Sequence, residues 1–276
     1  MKLNELNERI QSLKVGERLE LEKIDESLYH RSAGIGSTLM KAATKSMAHY
    51  KCGLEETNDV SAAAQKAMDI GSAVHCLVLQ ADLYEREFVK QPAEIKIRNG
   101  KKWEEFQQQH IGKTILTETD ESQASAMADA ILDDAGRFFL GGTPEVSYWI
   151  RHETGLILKA RIDYRLGDAA IDLKTTKHET PEQFKRAVKY DYDMQEALYR
   201  RVTGVADMIF VGVGKSAPYS VFLCRQGQLV REQAEKALDR AIAAITEANE
   251  FQSFPRVPAE LVETELTAYE IERLSA

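Results

Sequence analysis

The chain has 276 residues, of which 43% are hydrophobic, and a formal net charge of −8 at pH 7. This length predicts one elaborated domain with a large core, and the acidic balance argues against a protein that coats nucleic acid non-specifically. The cysteines, Cys52, Cys76 and Cys224, are too widely spaced for a disulfide framework or a closed zinc site. Since no apolar run approaches the ~18 residues of a membrane span, we expect a soluble, cytoplasmic protein.

The first part of the chain has a mainly helical pattern. Residues 1–31, which begin with a stretch rich in Leu, Glu and Lys, are predicted to form an N-terminal helix or arm. Ser37 is expected to cap a helix over 38–50. A longer helix, over 59–79, has apolar faces and contains the sequence GSAVH, which ends in His75. Taken alone, such a histidine is more often satisfied on a helix face than functional.

The segment 157–176 has the pattern of a β-hairpin. Apolar and polar residues alternate on both sides of Gly167-Asp168, which is typical of a two-residue turn. With that turn, Asp163 lies opposite Asp172, and side-chain alternation places both on one face together with Lys174. The opposite face, which can join a core, then carries Ile162, Ile171 and Leu173.

The acidic face of this hairpin needs a neutralising partner. Two carboxylates about 5 Å apart on facing strands repel each other, so the pair destabilises the sheet unless a cation lies between them. A hard divalent cation is the natural occupant of such a site. The alternative is an edge hairpin with a solvated polar face, on which Asp172 and Lys174 form an ordinary exposed ion pair.

The elements around the hairpin continue a pattern of helices and strands. A helix over 118–135 leads into a strand over 145–151, which precedes the hairpin. After the hairpin, a helix over 192–202 carries Gln195 and Tyr199 four residues apart on one face. Two strands and a long amphipathic helix complete the pattern, at 208–213, 219–223 and 228–251.

Four short motifs in this order resemble the exonuclease branch of the restriction-endonuclease-like, or PD-(D/E)xK, nuclease superfamily. They are GSAVH at 71–75, RID at 161–163, DLK at 172–174 and QEALY at 195–199. Each motif is weak alone, but four in order at compatible positions form a strong signal. Together with SMAHYK at 46–51, they resemble more narrowly the phage exodeoxyribonuclease VIII (RecE-type) family, in the branch of lambda exonuclease and the recombination-helicase nucleases.

The resemblance implies the fold and its extent. We expect an α/β restriction-endonuclease-like fold, in which a mixed β-sheet core is flanked by helices. The exonuclease domain would cover residues 32–253. The N-terminal helix or arm, 1–31, and a C-terminal tail, 254–276, carry none of the motifs.

The resemblance also implies chemistry for the hairpin and for the helix that carries GSAVH. Asp163 and Asp172 would bind Mg²⁺, with Mn²⁺ as a substitute, together with the backbone carbonyl of Leu173 and with His75 as a metal-proximal ligand. Lys174 would position or deprotonate the attacking water and stabilise developing negative charge. Sequence alone leaves open which of these roles Lys174 has.

Further residues are predicted to support this site. Gln195 and Tyr199 are implied by the resemblance to contact phosphate or to position the lysine; otherwise they are ordinary residues of an amphipathic helix. Glu145 opens the strand before the hairpin and is either a carboxylate that supports the metal site or an exposed strand-end residue. Basic residues that flank the hairpin are predicted to contact DNA phosphates, namely Lys177, Lys185, Arg186 and Lys189.

The first functional hypothesis is a Mg²⁺-dependent exodeoxyribonuclease that degrades one strand of linear double-stranded DNA from an end, 5′ to 3′ as the resemblance implies. The 3′ single-stranded tail would serve a RecT-like single-strand annealing protein in recombination, in a bacterial host cell and with a phage or prophage origin. The resemblance also implies a homo-oligomeric ring around the duplex, a tetramer or alternatively a trimer. Such a ring could confine positive charge to its bore.

Two other functions stay open. An endonuclease or flap nuclease of the same fold would act without threading a DNA end, so closed circular DNA would distinguish it from the exonuclease. The third is a non-catalytic DNA-binding scaffold on a nuclease-like fold, although such a protein has no chemical need for Asp163, Asp172 and Lys174 together. The cysteine spacing excludes an iron–sulfur nuclease.

Overall fold

The computed structural model describes residues 1–55, 61–261 and 264–265. The strands in these residues are β1 (Arg18–Leu21), β2 (Phe88–Lys90), β3 (Thr114–Leu116), β4 (Thr143–Arg151), β5 (Ile157–Leu166), β6 (Ala169–Thr176), β7 (Asp207–Gly214) and β8 (Val221–Cys224). A six-stranded sheet has the order β1-β4-β5-β6-β7-β8, and β2 pairs with β3 separately. Neighbours in the large sheet are antiparallel except β6 and β7, which are parallel.

Helices flank this sheet, as expected for the α/β class. They are α1 (Leu3–Gln11), α2 (Glu26–Arg31), α3 (Ser37–Lys45), α4 (Met47–Glu55), α5 (Ala62–Leu79), α6 (Tyr84–Glu87), α7 (Lys101–Gln109), α8 (Glu118–Ala135), α9 (Pro181–Tyr190), α10 (Asp193–Thr203) and α11 (Gln228–Phe251). The predicted mixed sheet flanked by helices is therefore confirmed. Among the described residues, none of these helices has the length and apolar character that crossing a membrane requires.

Two hydrophobic clusters hold helices against the sheet. One joins the sheet to α10 and α11, and it includes Leu158, Ile162, Leu198, Phe210 and Leu238. The other joins the sheet to α5 and α8, and it includes Val74, Met127, Ile171, Leu173 and Val211. Since consecutive residues of β7 enter different clusters, the clusters lie on opposite faces of the sheet. Both faces are thus buried, which anchors the strands that carry the motifs.

The predicted hairpin is confirmed, with one correction to its register. Leu166 pairs with Ala169 and Tyr164 pairs with Ile171 across the Gly167-Asp168 turn. The β5–β6 ladder ends there, while β6 stays paired with β7 and β5 stays paired with β4. Asp163 and Asp172 are therefore not a ladder pair.

The single apolar face predicted for the hairpin is also wrong. Ile162 is buried in the cluster with α10 and α11, whereas Ile171 and Leu173 are buried in the cluster with α5 and α8. The two strands diverge beyond the last ladder pair, so the alternation of side chains no longer places all three residues on a common face. The divergence opens the space that Asp163 borders.

The helix predicted over 38–50 is two helices. The N-cap is Gly36 rather than Ser37, and the helix is interrupted at Ser46, which has an extended backbone. The Ser46 hydroxyl accepts a hydrogen bond of 3.2 Å from the backbone N–H of His49. This local bond satisfies the start of α4 and competes with continuing α3, as serine hydroxyls often do.

The other long helices agree closely with the sequence pattern. The predictions over 118–135 and 228–251 are confirmed as α8 and α11. Helix α5 begins at Ala62, and residues 59–60 of its predicted range lie outside the described residues.

The tail predicted over 254–276 is described in part. Its described residues form neither helix nor strand, and residues 262–263 and 266–276 lie outside the described part of the chain. Phe254 packs against the cluster of α10 and α11, with the ammonium of Lys51 5.2 Å from its ring centroid. The start of the tail therefore contacts the domain.

Residues 1–31 contribute α1, β1 and α2 to this fold. Leu6 and Ile10 of α1 are fully buried in a third cluster that also contains Trp149 of β4. Strand β1 extends the large sheet by pairing with β4, so that Leu19 lies beside Trp149. Residues 1–31 are thus packed into the domain, and β1 covers the edge of the sheet beside β4.

A buried lysine joins this N-terminal region to β5. The ammonium of Lys159 donates to the backbone carbonyls of Tyr29 and His30 at 3.0 Å and of Ser32 at 2.8 Å. These carbonyls lie at the C-terminal end of α2, where helical partners are missing and the helix dipole favours a cation. Lys159 therefore substitutes for the missing donors.

We expect Lys159→Met to lower the free energy of unfolding by about 2–4 kcal/mol, because it leaves several buried carbonyls without a donor. Urea denaturation would measure this. The control is Lys101→Met, whose side chain is 88% exposed and should change stability by less than about 0.5 kcal/mol. Equal midpoints for the two variants would show that the lysine does not hold α2.

Candidate active site

The candidate site lies where β5 and β6 diverge. Asp163 of β5 faces the gap, and its Oδ2 accepts a hydrogen bond of 2.7 Å from the backbone N–H of Leu173 in β6. His75 of α5 reaches the same carboxylate, with 3.8 Å between its Nδ1 and Asp163 Oδ2. The structure therefore brings together residues from three of the sequence motifs. A role for the Leu173 carbonyl as a metal ligand stays a prediction.

Glu145 belongs to this cluster. One ligand atom each from His75, Glu145 and Asp163 lie within 4.8 Å of one another, an arrangement able to hold a metal ion. The Glu145 backbone has a φ of +55°, and this residue interrupts the β4–β5 ladder. A left-handed glutamate is strained, and such strain is common at functional sites. Arg161 holds the side chain, with 2.6 Å between its Nε and Glu145 Oε2.

The donor set and its electrostatics fit a divalent cation. Burial and the nearby Asp172 raise the pKa of Asp163 to about 7, and burial and Asp163 raise the pKa of Glu145. Burial and the charge of Lys174 lower the pKa of His75, which favours the neutral imidazole that binds metals. A cation between these carboxylates would relieve their repulsion.

Asp172 is held by two neighbours on the other side of the gap. Gln195 of α10 donates from Nε2 to Asp172 Oδ1 at 2.6 Å, and the Lys174 ammonium forms an ion pair with Asp172 Oδ2. The side chain of Asp172 is only 2% exposed. Gln195 thus contacts Asp172, and its predicted role toward the phosphate or Lys174 stays a prediction.

Lys174 is charged in this arrangement. Burial by itself lowers its pKa, but the attraction of Asp172 and then of Asp163 outweighs burial and raises the pKa above its usual value. The ammonium also lies 5.4 Å from the ring centroid of Tyr192. A lysine held in this way can donate hydrogen bonds and stabilise negative charge, and it is a weak base until its surroundings change.

Tyr199 lies behind this group as a neutral hydroxyl. Burial, followed by the nearby carboxylates of Asp172 and Asp163, raises the pKa of Tyr199 well above its usual range. A hydrogen bond with Gln195 acts in the opposite direction. Tyr199 is therefore neutral beside the two aspartates, and its role in the site stays a prediction.

The predicted DNA-binding residues separate into two groups. Lys177 and Arg186 line a surface cleft between the end of β6 and α9. Lys185 is near Cys224 of β8: burial raises the pKa of the Cys224 thiol, and the charge of Lys185 lowers it. The ammonium of Lys189 lies over the ring of Tyr190, 4.7 Å from the ring centroid. Their contacts with DNA stay predictions.

Three residues of this region were not singled out by the sequence. Arg161 lies inside the RID motif, but its partner Glu145 is sixteen positions away in the chain, so the pair becomes visible only in the sheet. Tyr192 and Lys41 of α3 meet at 5.7 Å from ammonium to ring centroid. No spacing rule connects a lysine of α3 with the start of α10.

A mixed sheet with an Asp-x-Lys sequence on β6 and a second aspartate across the gap on β5 defines a nuclease domain of the PD-(D/E)xK class. Residues 36–265 match the family described as "PDDEXK-like domain of unknown function (DUF3799)". The chain belongs to that family.

A comparison of structures agrees with this class at the level of the fold. A crystal structure from Eubacterium rectale, of a protein described as a "putative exonuclease", is similar with a TM-score of 0.58. The identity is 13%, and the similarity covers 93% of this chain and 99% of that chain. No curated protein matches the sequence. The narrower RecE-type resemblance stays a prediction.

Proposed function

We propose that the protein is a Mg²⁺-dependent exodeoxyribonuclease that degrades one strand of linear double-stranded DNA, 5′ to 3′. The observation that carries the proposal is the convergence of Asp163, Asp172 and Lys174 at one gap in the sheet, with His75 and Gln195 in contact with the aspartates. Phosphodiester hydrolysis needs groups of this kind to hold a cation, orient water and stabilise charge.

The residues have separate tasks in this proposal. His75, Glu145 and Asp163 would hold the cation together with Asp172, and Mn²⁺ would substitute for Mg²⁺ because carboxylate and water ligands suit both. A divalent cation bound there would polarise the scissile phosphate. Gln195 keeps Asp172 in place.

Lys174 has the remaining task at the scissile phosphate. As an ammonium it orients the attacking water and stabilises the negative charge that develops on the phosphate. Tyr192 and Asp172 hold its side chain. We prefer this role to deprotonation of the water, because the two aspartates raise the pKa of Lys174 and keep it charged.

The proposal also includes partners. The 3′ tail would pass to a RecT-like annealing protein in recombination, within a phage or prophage system. A homo-oligomeric ring, a tetramer or a trimer, would keep the enzyme on its substrate. The proposal of these partners rests on the resemblance of the four motifs. Because the chain has a net charge of −8, any contact with DNA requires a local basic surface.

The decisive experiment compares linear duplex DNA with the same plasmid as a relaxed closed circle, in Mg²⁺, by release of acid-soluble nucleotides and by gel. We expect the linear form to be degraded and the circle to stay intact, because an exonuclease needs an end. Label at the 5′ or the 3′ end then gives the polarity. Cleavage of the circle would favour an endonuclease of the same fold.

Binding without any cleavage in Mg²⁺ or Mn²⁺ would favour the non-catalytic scaffold. The two alternatives are therefore distinguished by one plasmid in two forms. The control is the native chain with excess EDTA, which removes the divalent cation and makes a metal-dependent nuclease inactive.

A further inference from the structure

A cleft opens on the surface immediately after the strand that carries Lys174. Its volume is about 590 Å³, and it lies between the loop that follows β6 and one face of α9. The polar and aromatic residues that line it are Lys177, His178, Gln183, Arg186, Tyr190 and Asp191. Ligand pockets measure about 300–1,000 Å³. The cleft therefore has room for a nucleotide and is far too small to contain a duplex.

The charges in this cleft favour an anion. Lys177 and Arg186 contribute two cations, and Asp191 is the one carboxylate among these lining residues. Among the described residues, no ion pair joins Lys177 or Arg186 to a carboxylate. Both cations are therefore available to a ligand, and a phosphate could pair with them without first breaking a salt bridge.

An exposed aromatic side chain stands beside these cations. Tyr190, the last residue of α9, is 61% exposed although it is a large aromatic residue. The Lys189 ammonium covers part of the ring at 4.7 Å from its centroid. Aromatic rings among free cations are typical of surfaces that bind single-stranded nucleic acid, because every unpaired base can stack on such a ring. Bases inside a duplex are stacked on each other and cannot.

The cleft is connected to the candidate active site. Asp191, which lines the cleft, accepts a hydrogen bond at its backbone carbonyl from the ammonium of Lys41. Lys41 lies 5.7 Å and Lys174 5.4 Å from the centroid of the same Tyr192 ring. The positive charges therefore continue from Lys174 through Lys41 to the cleft. A strand that passes the catalytic lysine can follow them.

We propose that the cleft binds a single-stranded segment of DNA, with a base stacked on Tyr190 and phosphates held by Lys177 and Arg186, and that Lys41 guides this strand between the cleft and Lys174. The identity of the strand rests on the nuclease function proposed above. The binding itself does not require cleavage, so the two proposals are tested separately.

The test measures binding in EDTA, where a metal-dependent nuclease cannot cleave its probe. Fluorescence anisotropy of the native chain would be recorded with a labelled oligothymidylate and with a labelled blunt duplex. Tyr190→Ala should weaken binding of the oligothymidylate by about tenfold, while binding of the duplex changes less than about twofold. Tyr190→Trp should restore it. The matched control is Phe251→Ala, since Phe251 is 67% exposed and is not among the residues that line the cleft.

Salt dependence tests the phosphate contacts. Lys177→Ala and Arg186→Ala should each flatten the slope of the logarithm of affinity against the logarithm of salt concentration by about 0.7 for the single strand. Lys236→Ala, on the exposed surface of α11, should leave the slope unchanged. Slopes that do not differ from that control would overturn the assignment of both cations.

Several results would contradict the proposal. The cleft is not a single-strand site if the native chain fails to bind oligothymidylate, or if Tyr190→Ala binds it as tightly as Phe251→Ala does. Equal losses for the single strand and the duplex would indicate a duplex surface instead. A chain that binds through Tyr190 but never cleaves DNA would overturn the nuclease proposal and leave the cleft standing.

Discussion

Lys174→Met should lower the rate of DNA cleavage by about 10³-fold while DNA binding is retained. The Lys174 ammonium is paired with Asp172 at the gap between β5 and β6. Removing a preorganised donor from a transition state costs about 10²–10³ in rate, and removing a proton-transfer group about 10²–10⁴. The measurement is single-turnover cleavage of an end-labelled duplex with saturating enzyme.

The variant needs a check on stability, because methionine leaves Asp172 buried without its cation. Breaking one side of a buried ion pair is costly, whereas replacing both partners by neutral residues often is not. We therefore expect Asp172→Asn combined with Lys174→Met to be more stable than Lys174→Met alone and equally inactive. Lys236→Met, an exposed lysine of α11, is the matched control and should cleave normally. Normal cleavage by the folded Lys174→Met variant would exclude Lys174 from the reaction.

The stability of the metal-free protein should fall as pH rises from about 4 to about 7. In the folded chain the pKa of Asp163 is about 7, raised from 3.8 first by burial and then by Asp172. The folded state therefore binds a proton over this window that the unfolded state has already released, so folding is favoured at the acidic end. The raised pKa of Asp163 corresponds to a decrease of the order of 4 kcal/mol in the free energy of unfolding at neutral pH.

A divalent cation should reverse this loss, because it binds the ionised carboxylate and replaces the missing proton. Thermal unfolding in EDTA should therefore show a lower Tm at about pH 7.5 than at about pH 5, and Mg²⁺ or Mn²⁺ should raise Tm more at the higher pH. Asp163→Asn should remove the cation effect and reduce the pH effect, to which Glu145 and Glu196 also contribute through their raised pKa values. Asp133→Asn, on the exposed face of α8, is the control and should behave like the native chain. A cation-independent Tm would contradict the metal site.

The hairpin is determined by local sequence only over its first residue pairs. The alternation of residues and the Gly167-Asp168 turn predicted the β5–β6 pairing correctly as far as Tyr164 and Ile171, because turn type and alternation are local properties. They could not predict that the strands diverge one residue later. Beyond that point β5 stays paired with β4 and β6 with β7, and β7 lies beyond two helices in the chain.

Local pattern also located helices outside the hairpin. The apolar periodicity located α8 and α11 to the residue, and the motif order brought His75, Gln195 and Tyr199 into consideration. Their mutual distances did not follow from spacing. The contact of Gln195 with Asp172 exists because α10 packs on the face of the sheet that Phe210 and Leu238 also line.

The sequence by itself therefore determined the class of fold, the hairpin and the identity of the paired aspartates and lysine, since each depends on residues that are close in the chain or on a motif order. Only the tertiary structure decided that Glu145 joins His75 and Asp163, that Lys159 holds α2, and that a cleft lined by Tyr190 opens after β6. These features join residues far apart in the chain. Their distances are set by sheet order and packing, which no local periodicity encodes.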